Sequence, residues 1–188
     1  MEAIEELFYH IDPPRRTRTV PMQVLAVGPS RSGTRSLRAS LLQLGYEHCY
    51  HGFDPEDWKN PPTAEDFDKV IGHCMAITDH PAAAFAPELI AAYPDAKVIL
   101  NVRKDVRKWH KSVMETLMPV YKSWRFSFRS YFCAELYWMQ KSFVRGNWNI
   151  FYRGNFEKNS YQVLEDHVRM VKSIVPPERL LEWDIYDG

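Results

Sequence analysis

The chain has 188 residues and a mass of 22.1 kDa, enough for one domain whose core needs neither disulfides nor metal. Its 24 basic and 24 acidic side chains cancel, which excludes a general nucleic-acid binder, because phosphate-backbone binding needs a basic surplus. Cys49, Cys74 and Cys133 form no C-x-x-C pair, so neither a disulfide framework nor a zinc knuckle is indicated, and they read as buried thiols. Met1–Leu7 carries three Glu and no apolar signal core, and no stretch approaches the ~18 consecutive apolar residues of a membrane span. The expectation is a cytoplasmic protein without a membrane span.

In chain order, residues 1–20 read as a polar N-terminal arm and 21–188 as one domain. Val24–Val27 is a short apolar run suited to a strand buried on both faces. Gly28-Pro29 ends it, and Thr34–Leu44 follows with Leu37, Leu41 and Leu44 at helical spacing and Gly45 as its cap. Tyr46–Tyr50 is a candidate second strand, 52–63 a loop rich in Pro and Asp, and Ala64–Cys74 a helix. Ala76–Thr78 is a short apolar run ending at Asp79-His80-Pro81, after which the alanine-rich 82–93 predicts a helix. Ala96–Val102 predicts a strand and Asp105–Thr116 a helix. Tyr121–Arg145 predicts an aromatic helical stretch, Tyr161–Val175 a helix and Leu180–Trp183 a last strand. Strands alternating with helices indicate an α/β fold, with a mainly parallel central sheet in three α/β/α layers.

The chemistry-bearing segment is Gly28-Pro29-Ser30-Arg31-Ser32-Gly33-Thr34-Arg35-Ser36. Between a buried strand and a helix, its backbone N–H groups and the helix N-terminus make an anion site, that is, a P-loop. Gly28 and Gly33 have the spacing of the glycines in G-x-x-x-x-G-K-[ST], but Thr34 stands at the lysine position and Arg35 at the magnesium-binding hydroxyl. An ATPase or kinase without both lacks most of its charge stabilisation. The positive charge sits inside the loop, at Arg31. The bland alternative is a tight strand–helix turn that holds no ligand.

Pro29–Ser36 resembles the sulfotransferase signature P-x-[KR]-[ST]-G-T-x-[SW]. A second block, Thr78-Asp79-His80-Pro81-Ala82, Pro87-Glu88-Leu89, Tyr93–Leu100, Arg103-Lys104-Asp105 and Trp109–Ser112, extends the likeness. From about Val24 onward the chain resembles a fungal-type branch of the P-loop sulfotransferase superfamily, whose members are often labelled only as P-loop proteins. The resemblance implies transfer of a sulfuryl group from 3′-phosphoadenosine 5′-phosphosulfate (PAPS) to a hydroxyl or amine of a small organic acceptor, without metal, leaving 3′-phosphoadenosine 5′-phosphate (PAP). It implies that Ser30, Arg31, Ser32, Gly33, Thr34, Arg35 and Ser36 hold the 5′-phosphosulfate, with Arg31 also catalytic. It implies that Arg103 or Lys104, with Ser112, holds the 3′-phosphate. Lys104 has the family's eight-residue spacing to Ser112 and Arg103 the family's side chain, so both are carried. Where cytosolic members have T-H-L-P with a histidine base, this chain has Thr78-Asp79-His80-Pro81, which makes Asp79 the candidate base and His80 its neighbour. His51 and His80 are candidates to face the acceptor. A cap on the following helix is the alternative role for Asp79, a structural role that for His80 and a solvated loop position that for His51.

The aromatic residues of 117–156, among them Trp124, Phe128, Tyr131, Phe132, Trp148 and Tyr152, suit either an acceptor pocket or lid for a hydrophobic or aromatic alcohol, or core with a homodimer contact. The family continues beyond a Gly-Trp pair near the position of Trp183, so the chain reads as short at its C-terminus. This leaves two alternatives to the enzyme: a non-catalytic protein binding a nucleotide or organic ligand, and, less well matched, a small-molecule kinase.

Overall fold

The computed structural model describes residues 8–9, 16–51, 63–80 and 82–187, excepting the side chains of 142–143 and 145–147. Five strands form its centre: β1 (Val24–Ala26), β2 (Cys49–His51), β3 (Ala76–Thr78), β4 (Lys97–Asn101) and β5 (Leu180–Trp183). All neighbours run parallel, in the order β2-β3-β1-β4-β5. Parallel strands need crossovers, which here are helices on both sheet faces. β1 therefore lies in the middle, with Val24, Leu25 and Ala26 at most 3% exposed. The result is the expected three-layer α/β/α fold.

The crossover from β1 is α1 (Thr34–Gln43), which buries Leu37 and Leu41 on one face of the sheet against Val24, Ala26, Ala76 and Ile99. Leu44, expected on that stripe, is instead the exposed cap residue before Gly45, which takes φ 89° as a left-handed C-terminal glycine does. On the opposite face α2 (Ala64–Ile71), α3 (Ala86–Ala92) and the C-terminal half of α8 (Phe156–Ile174) cover Leu25, Val27, Ile77, Val98 and Leu100. A capping box between Thr63 and Asp66 starts α2. It ends at Ile71 with Gly72 as C-cap, short of the expected Cys74. The expected helix from 82 begins only at Ala86, because Pro87 lacks an N–H and belongs in a first turn. In α8 the start is Phe156, five residues before the expected Tyr161, because Asn155 caps it by accepting from the Lys158 N–H.

After β4 comes α4 (Val106–Thr116), capped by Asp105, and then the aromatic stretch. Expected as a helical aromatic stretch over 121–145, it is helical but in pieces, α5 (Met118–Tyr121), α6 (Trp124–Ser130) and α7 (Ala134–Ser142), followed by a π-helical segment at Phe143–Phe151. Ser123 supplies the break before α6 by accepting from the Phe126 N–H. Of the expected polar arm, the part from Arg16 to Val20 is described and tied to the domain. Arg18 pairs with Asp68 at 2.6 Å, donates to the carbonyls of Val20, Ile71 and Cys74, and lies over the Tyr93 ring. Of the loop expected over 52–63, residues 52–62 lie outside the described residues, as does Pro81. Cys49 and Cys74 are buried as expected, whereas Cys133 is only half-buried and donates to Glu135.

Candidate functional site

In parallel α/β sheets the C-terminal strand ends carry the site, and the predicted residues gather there. β1 leads into a loop whose shape is fixed from below by Asn101, wholly buried at the end of β4. Asn101 Oδ1 accepts from the Gly28 N–H at 2.9 Å, and its Nδ2 donates to Ser32 Oγ at 2.7 Å. Ser32 Oγ in turn donates to the Pro29 carbonyl at 2.6 Å. The approach is so close that a Cβ on Gly28 would stand 1.7 Å from the Asn101 carbonyl oxygen, so only glycine fits. Ser32 thus shapes the loop with its side chain.

The loop reaches α1 at Gly33, whose φ of 89° marks a left-handed N-cap, and among the described residues no side-chain cap hydrogen bond is made there. The N–H groups of a helix N-terminus in this state can meet an anion. Thr34 is buried, while Arg35 and Ser36 are exposed on the first turn. Over Gly33 lie Trp183 from the end of β5 and Ile185, within 3.0 and 3.2 Å of where a Cβ would be.

Two non-glycine residues of the site sit in the left-handed region, Arg31 at φ 71° and Asp79 at φ 68°. Such conformations cost about 1–3 kcal/mol and concentrate at functional sites. Arg31 Nε donates to Ser112 Oγ on α4 at 3.0 Å, joining two residues that the family resemblance assigns to opposite phosphates. One turn earlier on α4, the fully buried Trp109 donates from Nε1 to the Ser30 carbonyl at 3.0 Å. α4 therefore grips the loop at two points.

Asp79 follows β3 and accepts from Ser30 Oγ at 2.7 Å. His51, at the end of β2 and in register with Thr78, places Nε2 3.4 Å from the other Asp79 oxygen. The contact is out of line for a hydrogen bond, and this buried nitrogen has no hydrogen-bond partner among the described residues. Ser30, Asp79 and His51 thus form one polar cluster beside the loop. His80 is 3% exposed, and burial pushes its pKa down to about 3, so the ring is neutral.

The two candidate cations before α4 separate. Lys104 donates its N–H to Asp184 Oδ2 at 2.5 Å, and its exposed ammonium pairs with Asp187. The Arg103 Nε is buried without a partner among the described residues, an arrangement that a bound anion would satisfy.

Two residues of the site neighbourhood are not singled out from sequence, Asn101 and His167, while Trp109 and Tyr152 are named there without the roles they take here. Asn101 had a signal, a polar side chain directly after the apolar run Val98-Ile99-Leu100. Tyr152 is 2% exposed, and burial first, then the charge of nearby Asp79, push its phenol pKa up. It stacks edge-on against Phe156 and Phe151 and tilts against Trp109, which builds an aromatic wall behind the loop. His167 on α8 bonds through Nε2 to the Val27 carbonyl at 2.7 Å, and burial lowers its pKa. Among the described residues no three His, Cys, Asp or Glu side chains cluster as metal ligands would. No helix among them is long and apolar enough to cross a membrane.

Comparison with known proteins gives two findings. A family model described as a sulfotransferase domain matches residues 23–188. A protein of Aspergillus versicolor named Ava biosynthesis cluster protein M is 32% identical over 196 residues, spanning 89% of this chain and 73% of its own length.

Proposed function

The chain belongs to the sulfotransferase-domain family, and on that premise we propose that it transfers a sulfuryl group from PAPS to a hydroxyl or amine of a small organic acceptor. The observation that carries this reading is the placement of a buried carboxylate, Asp79, in hydrogen-bond contact with Ser30 of the uncapped anion loop. A base held against an anion site is what an in-line transfer requires.

The residues present fit the donor. The open first turn of α1 and the Arg31 guanidinium offer one anion site, and the unpartnered Arg103 Nε offers a second. PAPS, when bound, supplies a sulfuryl group already activated by its phosphate leaving group. Gly33, Thr34, Arg35 and Ser36 then present first-turn N–H and hydroxyl groups to the 5′-phosphate, while Ser30 and Ser32 keep the loop in shape. Arg31 supplies positive charge where the leaving oxygen develops its negative charge. Arg103, with Ser112, holds the 3′-phosphate, and Lys104 orders the strand end through Asp184 and Asp187. Asp79 takes the acceptor's proton, with His51 beside it and neutral His80 behind. Trp109, Tyr152 and Phe156 are at most 2% exposed and form core behind the loop rather than a pocket lining, and the biosynthesis-cluster name of the relative supports a small-molecule acceptor.

Calorimetric titration with PAP, run beside ATP with Mg²⁺, tests the reading. Micromolar PAP binding that is lost in Arg31→Ala, without ATP binding, is the expected result. Mg-ATP binding in preference to PAP overturns it.

A further inference from the structure

The segment 116–134 contains Lys122, Arg125 and Arg129 and no acidic residue. It also carries a concentration of exposed aromatic surface. Trp124 is 72%, Phe128 58%, Tyr131 63% and Phe132 75% exposed. Trp124 and Phe128 are four residues apart on α6 and so share a face, and Phe128 and Phe132 touch with ring centroids 5.1 Å apart. Arg125 and Arg129 form a parallel row one position further along. Lys122 is engaged by Glu157, but neither arginine makes an ion pair among the described residues, and Arg125 lies 5.6 Å from the Trp124 ring centroid. Large contiguous apolar patches on a soluble surface mark interaction sites.

We propose that this face, built on α6 and the turn to Phe132, docks the protein peripherally on an anionic lipid surface. Charge selects that occupant. A second copy meeting it across a twofold axis would bring two copies of Arg125 and Arg129 into one interface, with Glu135, just past the end of the segment, as the nearest acidic residue following them in sequence. Trp and Tyr settle at the headgroup level, and arginines beside them meet anionic headgroups. The aromatic rings insert, while the two guanidinium groups remain at the phosphate plane.

Co-sedimentation with vesicles of phosphatidylcholine alone, or of phosphatidylcholine with phosphatidylserine, tests the proposal at low and high salt. The full chain should bind only the serine-containing vesicles and leave them at high salt. Arg125→Glu with Arg129→Glu should weaken partition by about tenfold or more. Trp124→Ser with Phe132→Ser should weaken it comparably. A retained thermal transition in both double variants shows that the loss is not one of folding. Absence of binding to anionic vesicles, or equal binding to both compositions, overturns the proposal. So does a concentration-dependent dimer, seen by light scattering, that Trp124→Ser with Phe132→Ser dissolves while vesicle binding persists. PAP titration of the same variants reads the nucleotide site separately, so failure here and failure of the transferase reading are distinguishable.

Discussion

Asp79 combines three unusual properties: a left-handed backbone, near-complete burial and contact with both Ser30 and the vicinity of His51. Asparagine tolerates the left-handed region better than most residues and keeps an acceptor for Ser30, so Asp79→Asn isolates the charge from the geometry. We expect turnover to fall by about 10²–10⁴-fold. PAP affinity should stay level or tighten, since a negative charge leaves the neighbourhood of an anion site. Turnover kinetics paired with calorimetry checks this, and unchanged turnover would remove Asp79 from the mechanism. The neighbouring His80 makes a different prediction. Its folded pKa of about 3 lies below the ordinary 6.5, so between those values the unfolded chain binds a proton that the folded chain excludes. Its contribution to stability is therefore complete above about pH 6.5 and is lost as pH falls toward about 3, at up to about 1.4 kcal/mol per pH unit. Buried His167 is shifted in the same direction and adds to the slope. Urea midpoints across this range should fall on acidification, and His80→Gln should flatten the decline.

At the scale of elements, β1, the loop, α1, β4 and β5 were legible in the sequence because each is a short apolar or periodic run bounded by glycine, proline or a cap. Less legible were elements whose ends depend on local caps or tertiary contacts. Pro87 delays α3, Asn155 advances α8, and Ser123 divides the aromatic stretch, all signals that periodicity alone passes over. The polar cluster was visible in part. Ser30, Asp79 and His51 were named singly, but their meeting depends on β1, β2 and β3 lying side by side, which no local pattern states. The roles of Asn101 and Trp109 were not legible because they are hydrogen bonds to backbone distant in sequence. Trp109 now carries a prediction for α4 as an element. Trp109→Phe keeps much of the buried ring but deletes the donor to the Ser30 carbonyl, at a cost of about 1–3 kcal/mol. Because that carbonyl belongs to the loop, PAP affinity should weaken together with stability. Denaturant unfolding and PAP titration of the variant measure the two effects. A loss of stability with unchanged affinity would mean that α4 supports the core without positioning the loop.

Across the whole molecule, the loop is where separately crossing elements converge. α1 begins there, α4 holds it through Trp109 and Ser112, α8 reaches its base through His167, and the end of β5 covers Gly33 with Trp183. Beyond β5, Asp184 accepts from the Lys104 N–H, and Asp187 pairs with the Lys104 ammonium, so the segment after β5 is tied to the start of α4. An anion bound at this junction therefore stabilises contacts drawn from several elements distant in sequence. At one hundred times its dissociation constant a ligand specific to the folded state adds about 2.7 kcal/mol. For a chain of this size that corresponds to a rise in Tm of about 5–10 °C. PAP should produce this shift in a thermal scan. Hydrogen exchange then distinguishes local from wider stabilisation. If the ties described transmit binding, amide exchange should slow at Lys104 and along Trp183–Asp187 as well as at 28–36. Protection confined to the loop would mean that the β5 end covers the anion site without being coupled to its occupancy. Protection reaching both places would make the turn after β5 part of the binding unit, and Asp184→Ala would then weaken PAP although Asp184 itself is assigned no contact with it.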